Sequence, residues 1–221
     1  ENGCIYEGES FGSEKDIEGE VVFNTGMVGY PEGFTDPSYF GQILTLTYPL
    51  IGNYGVPRKS LKNGLLSCFE SEKIHIRGLI VSSYIEGNSH WQSYQTLSSW
   101  LKSEGVPALS GIDTRTLTKT LRKAGVMKGK IIFKYPAKSG TIFYDVNRDN
   151  LVASVSCIKP IIYGKGKFKI LLIDCGMKYS QIRILLKHDT TIIRVPWDFN
   201  PFSGKNKFEF DEKRDVIVRS V

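Results

Sequence analysis

The sequence predicts an α/β fold of the α+β kind, with a layered β/β/α N-terminal domain followed by the first βαβ unit of a parallel sheet. Two observations indicate this. Strand and helix patterns alternate irregularly over residues 1–160, whereas an uninterrupted apolar run at Phe168–Ile173 begins a more regular alternation. Such a run is typical of a strand buried on both faces of a parallel sheet. We therefore expect one domain at residues 1–160 and a second at residues 161–221.

The N-terminal domain is organised around a strand–loop–strand segment. Strands are expected at Glu20–Thr25 and Ile43–Tyr48, where β-branched and aromatic residues dominate. Six glycines and three prolines lie between residues 26 and 55. Glycine permits positive φ and proline fixes φ, so the loop is expected to hold a defined shape. At its tip, Thr35–Tyr39 has turn chemistry and leaves the Ser38 hydroxyl available to a ligand. From these residues alone, a serine that only stabilises the turn is the favoured interpretation.

Further elements complete this domain. A strand is expected at Arg77–Tyr84 and another at Lys130–Lys134. An apolar stripe predicts a helix over His90–Glu104, which ends at a glycine. Asp113 or Thr114 is expected to cap a second helix that runs to Ala124. With Arg115 these two residues resemble a catalytic cluster, but helix capping explains Asp113 and Thr114 more simply.

The second domain is expected to hold strands at Phe168–Ile173, Thr191–Val195 and Asp215–Val218, and a helix at Lys178–Lys187. A strand, a helix and a strand in such quick succession form a βαβ unit. Three short strands and one helix do not enclose a core, so we expect this part to be the beginning of a larger parallel-sheet domain.

Charge, hydropathy and cysteine content argue against several classes of function. The 221 residues carry a net charge of +6, but the lysines and arginines are spread along the chain rather than clustered with aromatics, which disfavours nucleic-acid binding. No apolar run is long enough to span a membrane, and the first residues lack the features of a signal peptide. Four cysteines without a CxxC pair predict reduced thiols in a reducing compartment, which we expect to be the cytoplasm.

Few residues have the spacing of a catalytic or metal site. The three histidines are isolated, so no metal site is expected. Cys175 lies between a strand and a helix, as a nucleophile would, but Asp174 precedes it and no histidine is identifiable as its base. A turn or core cysteine is the favoured interpretation, and no catalytic residue is assigned. No P-loop spacing occurs, so no cofactor is expected in this chain.

Four segments together resemble one family. They are GEVVFNTGMVGYPEGFTDPSYFGQILTLTYPLIGNYG (residues 19–55), SGIDTRTLTKTLRKAGVMKGKI (110–131), DNLVASVSCIKP (149–160) and FKILLIDCGMKYSQIRILL (168–186). Their sequence and order are similar to the N-terminal part of the small, glutamine-hydrolysing subunit of carbamoyl-phosphate synthase, and equally to the fused amidotransferase half of the multidomain enzyme. The resemblance covers almost the whole chain.

The resemblance implies a function. Members of this family hydrolyse glutamine through a cysteine thioester, and the ammonia passes to a synthetase half. That half is a ligase that uses bicarbonate, ATP and magnesium to make carbamoyl phosphate for pyrimidine or arginine biosynthesis. The serine of the family's T-D-P-S-Y segment contacts glutamine, and Ser38 matches it. The family's nucleophilic cysteine and its partners match positions beyond Val221, so the fragment alone is expected to be inactive. Glutamine and the synthetase half are the expected partners.

Two departures and two alternatives stay open. Pro31 stands where the family usually has glutamine, so the loop is expected to follow a slightly different path. The lysine-rich stretch Pro201–Asp215 is also unusual. The chain could instead be a non-catalytic docking domain of an ammonia-dependent homologue, or a free-standing interaction module that has no affinity for glutamine.

Overall fold

The computed structural model describes residues 2–87, 89–133, 143, 145–201 and 216–219. These residues form a mixed α/β structure with one six-stranded sheet, one four-stranded sheet and two small two-stranded sheets. The α/β class predicted from the sequence is confirmed. Among these residues, no helix has both the length and the apolar character needed to cross a membrane.

Short strands and short helices follow one another along the described part of the chain. The strands are β1 (Glu9–Ser10), β2 (Ile17–Asn24), β3 (Gln42–Leu46), β4 (Val56–Pro57), β5 (Leu61–Lys62), β6 (Leu65–Leu66), β7 (Gly78–Ile80), β8 (Ser93–Gln95), β9 (Ala108–Ser110), β10 (Met127–Ile131), β11 (Ile161–Tyr163), β12 (Phe168–Ile173), β13 (Thr190–Val195) and β14 (Val216–Arg219). The helices are α1 (Tyr30–Phe34), α2 (Leu97–Ser103), α3 (Thr114–Ala124), α4 (Leu151–Val155) and α5 (Tyr179–Leu185), with 3-10 turns at Pro37–Tyr39 and Val146–Arg148.

The first sheet has the order β1-β9-β7-β3-β2-β10. Its four central strands run parallel to one another, and the two edge strands are antiparallel. Because β2 and β3 are parallel, residues 25–41 must cross from one end of the sheet to the other. This crossover holds α1 and the first 3-10 turn. The loop expected to have a defined shape is therefore a compact helical connection.

Two helix predictions have different outcomes. The helix expected over His90–Glu104 is too long, because residues 93–95 form β8 and Trp91 is 84% exposed. Helix α2 begins only at Leu97, after Thr96, whose Oγ1 accepts a hydrogen bond from the Ser99 backbone N–H at 3.2 Å. The cap of α3 is confirmed. Asp113 Oδ1 accepts from the Thr116 backbone N–H at 2.9 Å, and this hydrogen bond lowers the pKa of Asp113.

The second sheet has the order β11-β13-β12-β14. Strand β12 pairs in parallel with β13 on one side and with β14 on the other, and α5 connects β12 to β13, so the predicted βαβ unit is confirmed. Strand β11 pairs antiparallel with β13 and was not predicted. Residues 202–215, which include most of the lysine-rich stretch, lie outside the described residues, as does Lys134.

The two sheets share one hydrophobic core. Phe34, Phe69 and Trp100 from the first part belong to the same buried cluster as Leu172 of β12 and Ile182 of α5. A cluster of this kind normally marks a single cooperative unit. The division at residues 160 and 161 stays a prediction, but the structure shows that packing is continuous across it.

Candidate functional site

The turn that carries Ser38 is held by its own first polar residue. We call residues Thr35–Tyr39 the serine turn. Asp36 caps the 3-10 turn, and its Oδ1 accepts a hydrogen bond from the Ser38 backbone N–H at 2.9 Å. Pro37 is buried beneath the turn, whereas Ser38 is exposed. Among the described residues no hydrogen bond to Ser38 Oγ is found, so this hydroxyl can donate to or accept from a ligand.

Helix α1 fixes the other end of the serine turn. Thr35 is fully buried, and its Oγ1 donates to the Pro31 carbonyl at 2.9 Å. Pro31 lies in the first turn of α1, where a missing backbone N–H costs nothing because that group would have no helical partner. Gly29 precedes it with a φ of 78°, which favours glycine. Proline therefore fits at this position, and its carbonyl helps to hold the serine turn.

Residues that follow β6 form hydrogen bonds with the serine turn and with the end of α1. Ser71 Oγ donates to the Thr35 carbonyl at 2.7 Å and lies 2.9 Å from His75 Nε2. The backbone N–H of His75 donates to the Phe34 carbonyl at 2.8 Å. His75 is buried, and this burial lowers its pKa to about 4. His75, one of the three isolated histidines, is therefore a neutral core residue.

A second turn follows β12. We call residues Asp174–Met177 the cysteine turn. Asp174 has no exposed surface, and its Oδ1 accepts from the backbone N–H groups of Gly176 and Met177 at 3.0 and 2.8 Å. Its Oδ2 accepts from Cys157 N–H at 2.7 Å and from Arg194 Nε at 2.7 Å. The aspartate that argued against a nucleophile elbow thus shapes this turn and forms a buried ion pair.

Cys175 is half-buried in the cysteine turn. All four cysteines lie among the described residues, and none of them forms a disulfide. In the part of the chain that the structure describes, no group of three or more His, Cys, Asp or Glu side chains is arranged to hold a metal ion. The assignment of no catalytic residue to this chain stays a prediction.

The fold brings the serine turn and the cysteine turn together. A Cβ built on Gly176 would lie 3.4 Å from Pro37 Cβ, so the two turns are in contact. Gly176 has a φ of 112°, which other residues rarely adopt. Next to this contact, Lys178 Nζ lies 3.2 Å from Asp36 Oδ2. Ser38 and Cys175, which are far apart in sequence, therefore lie on adjoining turns.

Glu70 is a residue of this region that sequence reasoning missed. Its side chain is nearly buried, and Oε2 accepts from Ser180 N–H at 2.7 Å while Oε1 lies 3.1 Å from Arg183. One signal could have indicated such a residue. Helix α5 begins after Lys178, and a lysine ammonium has no acceptor with which to cap a helix. The N–H groups of the first turn therefore need acceptors other than the Lys178 side chain, and Glu70 is one of them.

The predicted Asp113–Arg115 cluster belongs to another part of the molecule. Asp113 caps α3, whose buried residues pack in a separate hydrophobic cluster around Ile112, Leu117 and Leu121. Its contacts are those of a helix cap, as the sequence indicated.

The comparisons with known proteins agree on one family. The sequence model of the carbamoyl-phosphate synthase small chain, CPSase domain, matches residues 1–131. The multifunctional protein CAD of Squalus acanthias is 46% identical over 210 residues, which cover 92% of this chain and 9% of that protein. The multifunctional protein URA2 of Saccharomyces cerevisiae is 43% identical over 232 aligned positions, covering 90% of this chain and 10% of that protein.

A third relative, which carries a different name, is about as similar to this chain as the first two are. The mitochondrial carbamoyl-phosphate synthase [ammonia] of Mus musculus is 44% identical over 201 residues, covering 90% of this chain and 13% of that protein. The chain thus spans about a tenth of the length of these relatives. The family model matches more than half of the chain, and each relative matches nearly all of it. The chain belongs to the carbamoyl-phosphate synthase small chain family.

Proposed function

We propose that this chain is the N-terminal portion of the glutamine-hydrolysing component of a carbamoyl-phosphate synthase. It forms one wall of the glutamine site and docks the synthetase half, which is either fused to it or a separate chain. Family membership supports the enzyme class, and the names of the CAD and URA2 relatives describe multifunctional proteins. ATP and magnesium are then required by the synthetase half. We expect the complete protein to work in the cytoplasm, in pyrimidine or arginine biosynthesis.

The observation that carries the proposal for the site is the exposed Ser38 hydroxyl on a turn fixed by Asp36 and Thr35. A hydroxyl held on a rigid turn can hydrogen-bond to the carboxylate or the amide of glutamine with little loss of conformational entropy. Water and the side-chain amide of glutamine then give glutamate and ammonia. The nucleophilic thiol that attacks the amide is expected from the part of the parent protein that follows this chain.

The specific test of the proposal compares nitrogen donors in the parent polypeptide. We expect carbamoyl phosphate to form from bicarbonate and ATP with either glutamine or ammonia as the nitrogen source. The 221-residue chain by itself is expected to release no ammonia from glutamine, with or without the substitution Cys175→Ser. Ammonia that is released by the chain alone and is lost with Cys175→Ser would contradict the proposal.

A second candidate function is favoured by one observation. The mouse relative named carbamoyl-phosphate synthase [ammonia] is almost as similar to this chain as the CAD relative is. Under this alternative the chain is a docking domain of an ammonia-dependent homologue, and Ser38 binds nothing. The same assay separates the two functions, because carbamoyl phosphate would then form with ammonia and not with glutamine.

A further inference from the structure

The Asp36 carboxylate bonds to two different parts of the structure. Its Oδ1 accepts from the Ser38 backbone N–H at 2.9 Å, inside the serine turn. Its Oδ2 accepts from Lys178 Nζ at 3.2 Å, at the N-terminal end of α5. The Asp36 side chain is 14% exposed and the Lys178 side chain 37%, so this ion pair is partly shielded from water. One carboxylate thus joins the turn that carries Ser38 to the second sheet's first helix.

Glu70 forms a second link to the same helix. Its Oε2 accepts from Ser180 N–H at 2.7 Å, and its backbone carbonyl accepts from Tyr179 N–H at 2.9 Å. It therefore caps α5 from outside the helix, at the end where the helix dipole favours negative charge. Its Oε1 also pairs with Arg183 at 3.1 Å.

Thr35 connects Glu70 to the serine turn. The Glu70 backbone N–H donates to Thr35 Oγ1 at 2.9 Å, and the same Oγ1 donates onward to Pro31 O. The path from α1 through Thr35 and Glu70 to α5 is made of buried or nearly buried groups. An unmade bond along it would leave a buried polar group unsatisfied, so the path resists deformation.

We propose that Asp36 and Glu70 are positioning residues, which clamp the serine turn to the first turn of α5 and so set the place of Ser38 against the cysteine turn. The inference rests on the proposed function, in which Ser38 contacts glutamine. Neither carboxylate is proposed to touch the substrate. Each holds the serine turn in a fixed position relative to the second sheet. A small misplacement of a binding group weakens binding markedly.

The test is a double-mutant cycle in the parent polypeptide. Asp36→Asn keeps an oxygen to cap Ser38 but removes the charge that binds Lys178, and Lys178→Met removes the other partner. We expect each single substitution to raise the KM for glutamine about fivefold, with kcat and ammonia-dependent synthesis unchanged. The double variant is expected to match the single ones, because both remove the same bond.

Two controls accompany the cycle. Lys59→Met breaks a surface ion pair with Glu104 of comparable length, 3.6 Å, and is expected to leave the KM unchanged. Glu70→Gln keeps an oxygen for Ser180 N–H but loses the charge that pairs with Arg183, and is expected to raise the KM as well. An unchanged KM in Asp36→Asn and Lys178→Met, or effects that multiply in the double variant, would overturn the clamp.

A second measurement distinguishes a failure of the clamp from a failure of the proposed function. Amide hydrogen exchange of the 221-residue chain reports on the clamp without glutamine. We expect Asp36→Asn and Lys178→Met each to speed exchange in residues 36–39 and 179–183 about tenfold, and the double variant no further. Unchanged exchange contradicts the clamp. Coupled exchange in the 221-residue chain, together with a parent polypeptide that does not use glutamine, contradicts the proposed function and not the link between the serine turn and α5.

Discussion

At the scale of single residues, His75 shows how the core behind the serine turn depends on pH. Burial disfavours the charged imidazole, and nearby Lys73 adds to this, so the pKa falls to about 4. The unfolded chain binds a proton near pH 6.5 and the folded chain does not. The folded state therefore loses stability as pH falls from about 6.5 to about 4, by about 2–3 kcal/mol from this residue.

This pH dependence can be measured by urea unfolding of the chain at several pH values. The variant His75→Gln serves as the control, because glutamine can still hydrogen-bond to Ser71 but does not titrate. We expect the free energy of unfolding to fall more steeply with decreasing pH in the wild type than in the variant. Parallel curves over this range would mean that the pKa of His75 is not lowered in the folded state.

Asp174 is the second residue whose contacts predict a measurable effect. It is fully buried and pairs with Arg194 while it holds the backbone of the cysteine turn. Asp174→Asn keeps the shape but leaves a buried guanidinium without its counter-charge. Breaking a buried pair in this way costs about 3–5 kcal/mol. Chemical denaturation should show a loss of this size, and a loss below about 1 kcal/mol would contradict the role of Asp174 in the buried pair.

At the scale of elements, the sequence predicted most of the longer strands and helices but missed most of the short ones, among them β9 and α1. The strands on either side of the long crossover, the cap at Asp113 and the βαβ unit are local patterns, because alternation, capping side chains and apolar runs are set by neighbours in sequence. The late start of the predicted helix, at Leu97, was missed because pairing of β8 with β4 overrides the apolar stripe. Strand β11 was missed because its register depends on a distant partner, β13.

The candidate site likewise combines features that the sequence predicted with features that it did not. The serine turn and its exposed hydroxyl follow from local turn chemistry and were predicted. Glu70 was not, because nothing near it in sequence indicates that it caps a helix more than 100 residues away. Contacts of this kind depend on how the two sheets pack, which local patterns do not encode.

At the scale of the whole molecule, the shared core predicts a single unfolding transition. Ile182 of α5 is fully buried in the cluster that also holds Trp100. We expect Ile182→Ala to lower the free energy of unfolding by about 2–5 kcal/mol. Ile184 lies on the same helix with 55% exposure, and Ile184→Ala is expected to cost less than about 0.5 kcal/mol.

Two tryptophans provide probes for the two parts of the chain. Trp100 lies in α2 and Trp197 follows β13, so single-tryptophan variants report on each part separately by fluorescence. Both probes should shift to lower urea concentration together in Ile182→Ala. A shift at Trp197 with Trp100 unmoved would show two separately folding domains and contradict the continuous core.

In the proposed function, Ser38 binds glutamine from a turn that the rest of the fold holds in place. The most direct measurement is the KM for glutamine of the parent polypeptide with Ser38→Ala, beside its use of ammonia. Ser99→Ala, at an exposed serine of α2, is the matched control. We expect the glutamine KM to rise about tenfold in Ser38→Ala alone, with ammonia use unchanged. An unchanged glutamine KM, or an equal loss with both nitrogen donors, would contradict a role of Ser38 in glutamine binding.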